Sequence, residues 1–167
     1  MRGRDACFAS FALALAATPV AAETCIQAHA IYADQVGGYE LSFEPVGSQS
    51  AATSNHFKVS VGDTGLLLDG VVMWSEEPER PNGIVMHNCP EGDVTGEELR
   101  ACTVWQGVVY TVDEAGHVGL LEAEDAPAAQ QILLPDFGPS LRASSAWGKR
   151  KGQTDSSDVF RLKGCAA

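Results

Sequence analysis

Apolar and polar residues alternate strictly in two early stretches of the chain. In "YELSFEPV" (39–46), Tyr39, Leu41 and Phe43 fall on one side, and Glu40, Ser42 and Glu44 on the other. "HFKVSV" (56–61) repeats the pattern with Phe57, Val59 and Val61. A period of two lines up every apolar side chain on one face of an extended chain, so both stretches read as half-buried antiparallel strands. The Ser-, Gly-, Ala- and Gln-rich residues 47–55 between them read as a polar loop.

Further on, "GLLLDGVVMWS" (65–75) sets Asp69-Gly70 between two apolar runs, which predicts a two-residue hairpin. "RPNG" (80–83) predicts a second turn, with "IVMH" after it as a short strand. "QGVVYTVDEAGHVGLL" (106–121) predicts another hairpin, connected by Asp113–Gly116, and "DVFRL" (158–162) a closing strand.

Helical signals frame these strands. Thr24-x-x-Gln27 fits a capping box opening a helix that ends at Gly37-Gly38, although "IQAHAIYA" within it also fits a strand. Thr95-x-x-Glu98 fits a second box, opening a short helix at Gly96. Glu97 and Glu98 stand in its first turn and Arg100 towards its end, as the helix dipole favours. Asp125 ahead of Ala126-Pro127 predicts a helix over "AAQQILL", stopped by Pro135, and a further short helix is expected over about 139–146. The expected fold class is α+β: a mainly antiparallel β meander of short strands with a few short helices, stapled by disulfides.

The N-terminus changes the setting. Arg2 and Arg4 precede an apolar run from Ala6 to Ala17. "TPVAA" then offers Val20 and Ala22 at the −3 and −1 positions of a cleavage site. Residues 1–22 therefore read as a secretory signal and residues 23–167 as one globular domain. The run is too short to span roughly 30 Å of hydrocarbon, so no stable membrane anchor is expected. The expected address is periplasmic or extracellular. The Ala-rich signal and the missing Asn-x-Ser/Thr sequon lean towards a bacterial source.

Export gives the cysteines a meaning. Of the five, Cys7 leaves with the signal, and Cys25, Cys89, Cys102 and Cys165 remain. Four cysteines in an oxidising compartment read as two disulfides with three formal pairings. The preferred pairing joins neighbours Cys89 and Cys102, and fastens the two ends of the domain through Cys25 and Cys165, since domain termini often lie close together.

Charge is segregated. Residues 23–136 hold three basic residues (Lys58, Arg80, Arg100) and 19 acidic ones; residues 137–167 hold six basic and two acidic. Nucleic acid is a poor partner for so acidic a surface, because phosphate contacts need an extended basic one. "GKRKGQTDSS" (148–157) reads as a basic loop whose role is open between solubility and an anionic contact.

Candidate chemistry is sparse. Asp63-Thr64-Gly65 matches the tripeptide by which aspartic proteases present a carboxylate. One copy needs a partner for proton sharing, and the same residues make an ordinary turn. Neither a G-x-S-x-G elbow nor a phosphate-binding glycine loop is found, and His29, His56, His87 and His117 are scattered. Met86, His87, Cys89 and Cys102 place soft ligands in one acidic stretch. Met86 and His87, as strand neighbours, would diverge, and the compartment favours oxidation of the thiols. Calcium ligation by Glu91, Asp93, Glu97 and Glu98 lacks the spacing of a known loop. Trp74 beside Glu76, Glu77 and Glu79 suggests an aromatic platform with a polar edge, on which a ring-bearing ligand stacks. The expectation is thus a non-catalytic binding or interaction module for a protein or small molecule, with no cofactor. The alternatives are a small exported hydrolase using Asp63, His87 or the acids at 76–79, and a periplasmic metal-binding protein.

Overall fold

The computed structural model describes residues 25–36, 38–47, 52–148 and 157–166. The expected signal and all but the ends of the basic stretch 148–157 lie outside the described residues. Among the described residues, ten strands pair antiparallel in one sheet. They are β1 (Ala30–Asp34), β2 (Tyr39–Glu44), β3 (Thr53–Val61), β4 (Leu66–Glu76), β5 (Glu79–Met86), β6 (Thr103–Val108), β7 (Tyr110–Val112), β8 (Val118–Leu120), β9 (Gln131–Leu133) and β10 (Val159–Cys165). Two short helices join them, α1 (Gly96–Cys102) and α2 (Phe137–Ala143).

The strand order is β6-β5-β4-β3-β2-β1-β10-β9-β7-β8. β6 at one end and β7 near the other are separated in the chain by Val109 alone. The sheet must therefore curl until its ends meet. β6 pairs with β5, and past Val109 the same run of chain pairs with β8 and β9. The Val109 N–H donates to the Pro81 carbonyl (2.9 Å) and its carbonyl accepts from Leu121 N–H (3.3 Å), so the chain hands over from β5 to β8 at this residue.

Alternation decides what lies inside. Tyr39, Leu41 and Phe43 of β2 and Phe57, Val59 and Val61 of β3 are all buried, as their period of two predicts. The core is aromatic. Phe43 lies against Phe57 (centroids 5.2 Å apart), and Phe137 of α2 meets Tyr39, Trp105 and Phe160 edge-on at 6.5, 6.4 and 6.0 Å. Edge-to-face contacts set the positive ring edge against the negative face and add to area burial. The helical turn of α2 thus carries one ring into the centre of three others.

Both expected disulfide pairs are present. Cys25 and Cys165 are bridged across 140 residues, with Cα atoms 5.8 Å apart, and Cys89 and Cys102 across 13 residues, with Cα atoms 5.2 Å apart. The Thr95–Glu98 capping box is complete: Thr95 N–H donates to Glu98 Oε2 (2.9 Å), and Glu98 N–H to Thr95 Oγ1 (3.3 Å). These bonds hold the Glu98 carboxyl below its ordinary range, the backbone N–H of Thr95 first.

Several expected elements are different. Asp69-Gly70 is not a hairpin but the middle of β4. A Cβ on Gly70 would stand 2.4 Å from two carbons of the Phe57 ring, so this glycine makes room for an aromatic bed instead of a turn. Asp69 points outward to Lys58 Nζ at 2.8 Å, a cross-strand pair on the solvated face that holds the lysine's affinity for its proton above normal. Arg80–Gly83 is likewise part of β5, not a turn. Gly83 and Gly107 leave room for the Trp105 indole, to which added Cβ atoms would approach within 2.9 and 2.8 Å. The reversal between β4 and β5 is instead at Glu77-Pro78.

The expected helix over "AAQQILL" is absent: Gln131–Leu133 forms β9, paired on both sides by β10 and β7. Between Pro127 and Pro135 a helix has fewer than three turns and cannot form alone, whereas two waiting strands satisfy the same backbone groups. Of the two readings at 24–38, the strand prevails. A 3-10 turn at Gln27–His29 leads into β1. The helix expected near 139–146 starts earlier, at Phe137.

Candidate functional site

β4 outruns the core. Its inward positions Leu66, Leu68, Gly70 and Val72 are buried, but Trp74, next in that row, is 41 % exposed. Around it lies an open groove of about 740 Å³, lined by Ala52, Thr53, Ser54, Met73, Trp74, Ser75, Glu76, Asn82, Ile84 and Gln106. Register explains the grouping: Thr53 and Asn82 both pair with Met73, and Gln106 pairs with Ile84. The polar groups are partly held in place. Asn82 Nδ2 donates to Ser75 Oγ (3.0 Å), and Ser75 Oγ donates to the Pro78 carbonyl (2.6 Å). Of the four residues singled out from the sequence, Trp74 and Glu76 line this groove. Glu77 and Glu79 stand at the exposed β4–β5 reversal and do not. Ser54, Asn82 and Gln106 belong to other strands, and only the pairing register brings them in.

The stretch 85–102 forms a second hollow, of about 450 Å³, lined by His87, Asn88, Pro90, Glu98, Ala101, Cys102 and Ser145. Both thiol sulfurs of the candidate metal cluster are spent in the Cys89–Cys102 bridge. Among the described residues no three His, Cys, Asp or Glu side chains gather as metal ligands would. His87 and Ser145 share the hollow with Glu98, but the Glu98 carboxylate is bonded to Thr95. A nucleophile and base must lie within hydrogen-bond reach, and no such bond joins Ser145 to His87. Asp63 lies in a 3-10 turn, Gly62–Thr64. Thr64 Oγ1 fastens this turn by donating to the Val61 carbonyl (2.6 Å) and accepting from Leu66 N–H (3.0 Å).

Comparison with protein-family models, curated proteins and solved structures finds no match for this chain. The residues themselves must carry the reading.

A third concavity, of about 310 Å³, separates the β7–β8 hairpin from residues 126–130. Gln27 lines it and was legible in the sequence only as a capping residue. Its Oε1 accepts from Tyr32 Oη (2.9 Å) and Ala129 N–H (3.2 Å), while its Nε2 has no partner. Burial drives the Tyr32 hydroxyl pKa well above the ordinary tyrosine value, with the Gln27 bond acting the other way. At the rim, Asp113 Oδ1 accepts from Ala115 and His117 N–H and its Oδ2 meets the His117 ring at 2.9 Å. The His117 backbone bond leads in lowering its pKa.

Proposed function

We propose that this protein is an exported, non-catalytic binding module that takes a polar, ring-bearing ligand, a saccharide above all, in the Trp74 groove. The observation that carries the reading is the half-exposed indole set among hydroxyl and carboxamide side chains, those of Ser54, Ser75, Asn82 and Gln106. An indole face offers a sugar ring an apolar platform, and the surrounding donors and acceptors fix its orientation. Two disulfides accord with an oxidising destination, and the signal-like residues 1–22 supply the route to it. No helix among the described residues is long and apolar enough to cross a membrane. Glu76 provides an acidic edge for a ligand hydroxyl or amine, with Glu77 and Glu79 beyond it.

Tryptophan fluorescence tests this directly, because Trp105 and Trp147 are buried and Trp74 is the exposed one of the three. Titration with neutral tetrasaccharides (maltotetraose, cellotetraose, chitotetraose) should shift and quench the emission for at least one of them, and Trp74→Ala should abolish the response. No response to any of the three, or an equal response in Trp74→Ala, contradicts the assignment.

A further inference from the structure

The cleft beside Gln27 holds a buried donor with nothing to donate to. Gln27 is 1 % exposed. Its orientation is not arbitrary: Ala129 N–H can only donate, so the atom 3.2 Å from it must be the amide oxygen, and a flipped carboxamide would set donor against donor. Both N–H groups of Nε2 are then left over. A buried donor without a partner costs about 1–3 kcal/mol. Asp34 Oδ2 and Asn55 Nδ2 are also left over, but of the three residues Gln27 is the one that lines a described cleft.

The walls say what that is. Leu120, Leu121, Pro127 and Ala128 present apolar surface. Asp113 and Glu122 are the two charged lining groups, both acidic and exposed, and residues 111–130 contain five carboxylates and no Lys or Arg. Asp113 is already engaged by its own turn, whereas the Glu122 carboxylate has no partner among the described residues. An anion is disfavoured here. A ligand that satisfies all three features has a carbonyl acceptor for Gln27, an apolar side chain and a cationic end for Glu122.

We propose that this cleft is a second binding site, separate from the Trp74 groove, for a short apolar peptide with a free amino terminus. The peptide carbonyl accepts from Gln27 Nε2 after a small shift of the carboxamide towards the cleft, since this nitrogen is shielded from solvent in the free chain. One bridging water serves nearly as well as a direct bond. The apolar side chain lies between Leu120 and Pro127, and the amino group lies at Glu122. Residues 126–130 are already tied down by Ala128 N–H to the Cys25 carbonyl (2.8 Å) and by Leu162 N–H to the Gln130 carbonyl (2.9 Å), so the site is largely formed before binding.

The probes are leucyl-leucinamide and its N-acetylated counterpart, titrated into the 15N-labelled exported chain and followed by NMR. Leucyl-leucinamide should move the Gln27 side-chain amide resonances and the backbone signals of Leu120–Glu122 and Ala126–Gln130, leaving the Trp74 indole signal in place. Acetylation should weaken binding about threefold, the size expected for an exposed ion pair. Glu122→Gln, at an exposed position, should bind both probes with the weaker affinity. Gln27→Leu should lose the response. If that variant fails to fold, the Glu122→Gln comparison still decides. No shift at millimolar probe, shifts centred on Trp74, or equal binding of the two probes to the wild-type chain would overturn the proposal.

Discussion

The two ends of the β1–β2 hairpin are closed in different ways. At the turn end, Phe137 of α2 enters among Tyr39, Trp105 and Phe160, and the polar atom brought with them is satisfied: Trp105 Nε1 donates to the Pro135 carbonyl at 2.7 Å. At the other end the 3-10 turn Gln27–His29 and residues 121–130 make the cover. Ala28 N–H donates to the Glu124 carbonyl and Val46 N–H to the Glu124 carboxylate, but Gln27 Nε2 remains unpaired beside an open cleft. The turn end keeps one buried acceptor over, Asp34 Oδ2, while Asp34 Oδ1 accepts from Gly38 and Tyr39 N–H; the Gln27 end keeps a donor over, and its residue lines an open cleft. A filled core gives rigidity, and the end whose spare donor belongs to the wall of a cleft is where chemistry from outside has somewhere to go.

The sharpest way to break this contrast is through the disulfides. Cys25–Cys165 fastens the Gln27 end, since Cys165 pairs with Ala30 in the β1–β10 register. In the chain-entropy account, closing a loop of that length stabilises by about 5 kcal/mol and one of the Cys89–Cys102 size by about 3 kcal/mol. The double variant Cys25→Ser/Cys165→Ser should therefore lower the denaturant midpoint more than Cys89→Ser/Cys102→Ser. The reverse order would mean that the Gln27 end does not depend on its staple.

At the packed end, Phe137→Ala removes the ring that three others surround. The expected loss is about 3–5 kcal/mol, read by chemical denaturation, as for other large-to-small aromatic changes in a core. A loss under 1 kcal/mol would show α2 to be a loose flap.

A smaller change probes the hydrogen-bonded end. Tyr32→Phe deletes the hydroxyl that holds Gln27 Oε1 and should cost about 1 kcal/mol at neutral pH. The pH dependence has a definite sign. Burial raises the Tyr32 pKa in the folded state, so its contribution is full below the unfolded tyrosine value of about 10 and is lost as pH rises above it. Stability of the wild-type chain should fall more steeply above pH 10 than that of Tyr32→Phe, with both measured by urea denaturation. Parallel curves would contradict the burial of that hydroxyl.

Much of this was legible in the chain. Period-two alternation located β2 and β3 and their inward residues, and the Thr95–Glu98 box located α1. Cysteine spacing in a chain read as exported pointed to the two bridges. The misreadings share one physical cause, in that partners across the strands decide what a local signal means. Next to Asp69 or Asn82, glycine looks like a turn residue, yet Gly70 and Gly83 are there because Phe57 and Trp105 need the space of a missing side chain. That need exists only across strands and leaves no local trace. The helix expected over 128–134 failed for the same reason, as β7 and β10 claim its backbone from distant parts of the chain. The Trp74 half of the groove could be nominated from its own strand. Ser54, Asn82 and Gln106 could not be, and Gln27 could not be, because register and closure decide their company.

The contrast between the two ends comes down to two side-chain nitrogens, Trp105 Nε1 and Gln27 Nε2, and hydrogen exchange at both in one NMR sample tests it most directly. The Trp105 indole N–H should exchange as slowly as the most protected backbone amides, opening only with global unfolding. The Gln27 carboxamide protons, unpaired beside an open cleft, should exchange far faster. Equal, slow exchange of both would show that Gln27 already has its partner and would remove the contrast between the two donors.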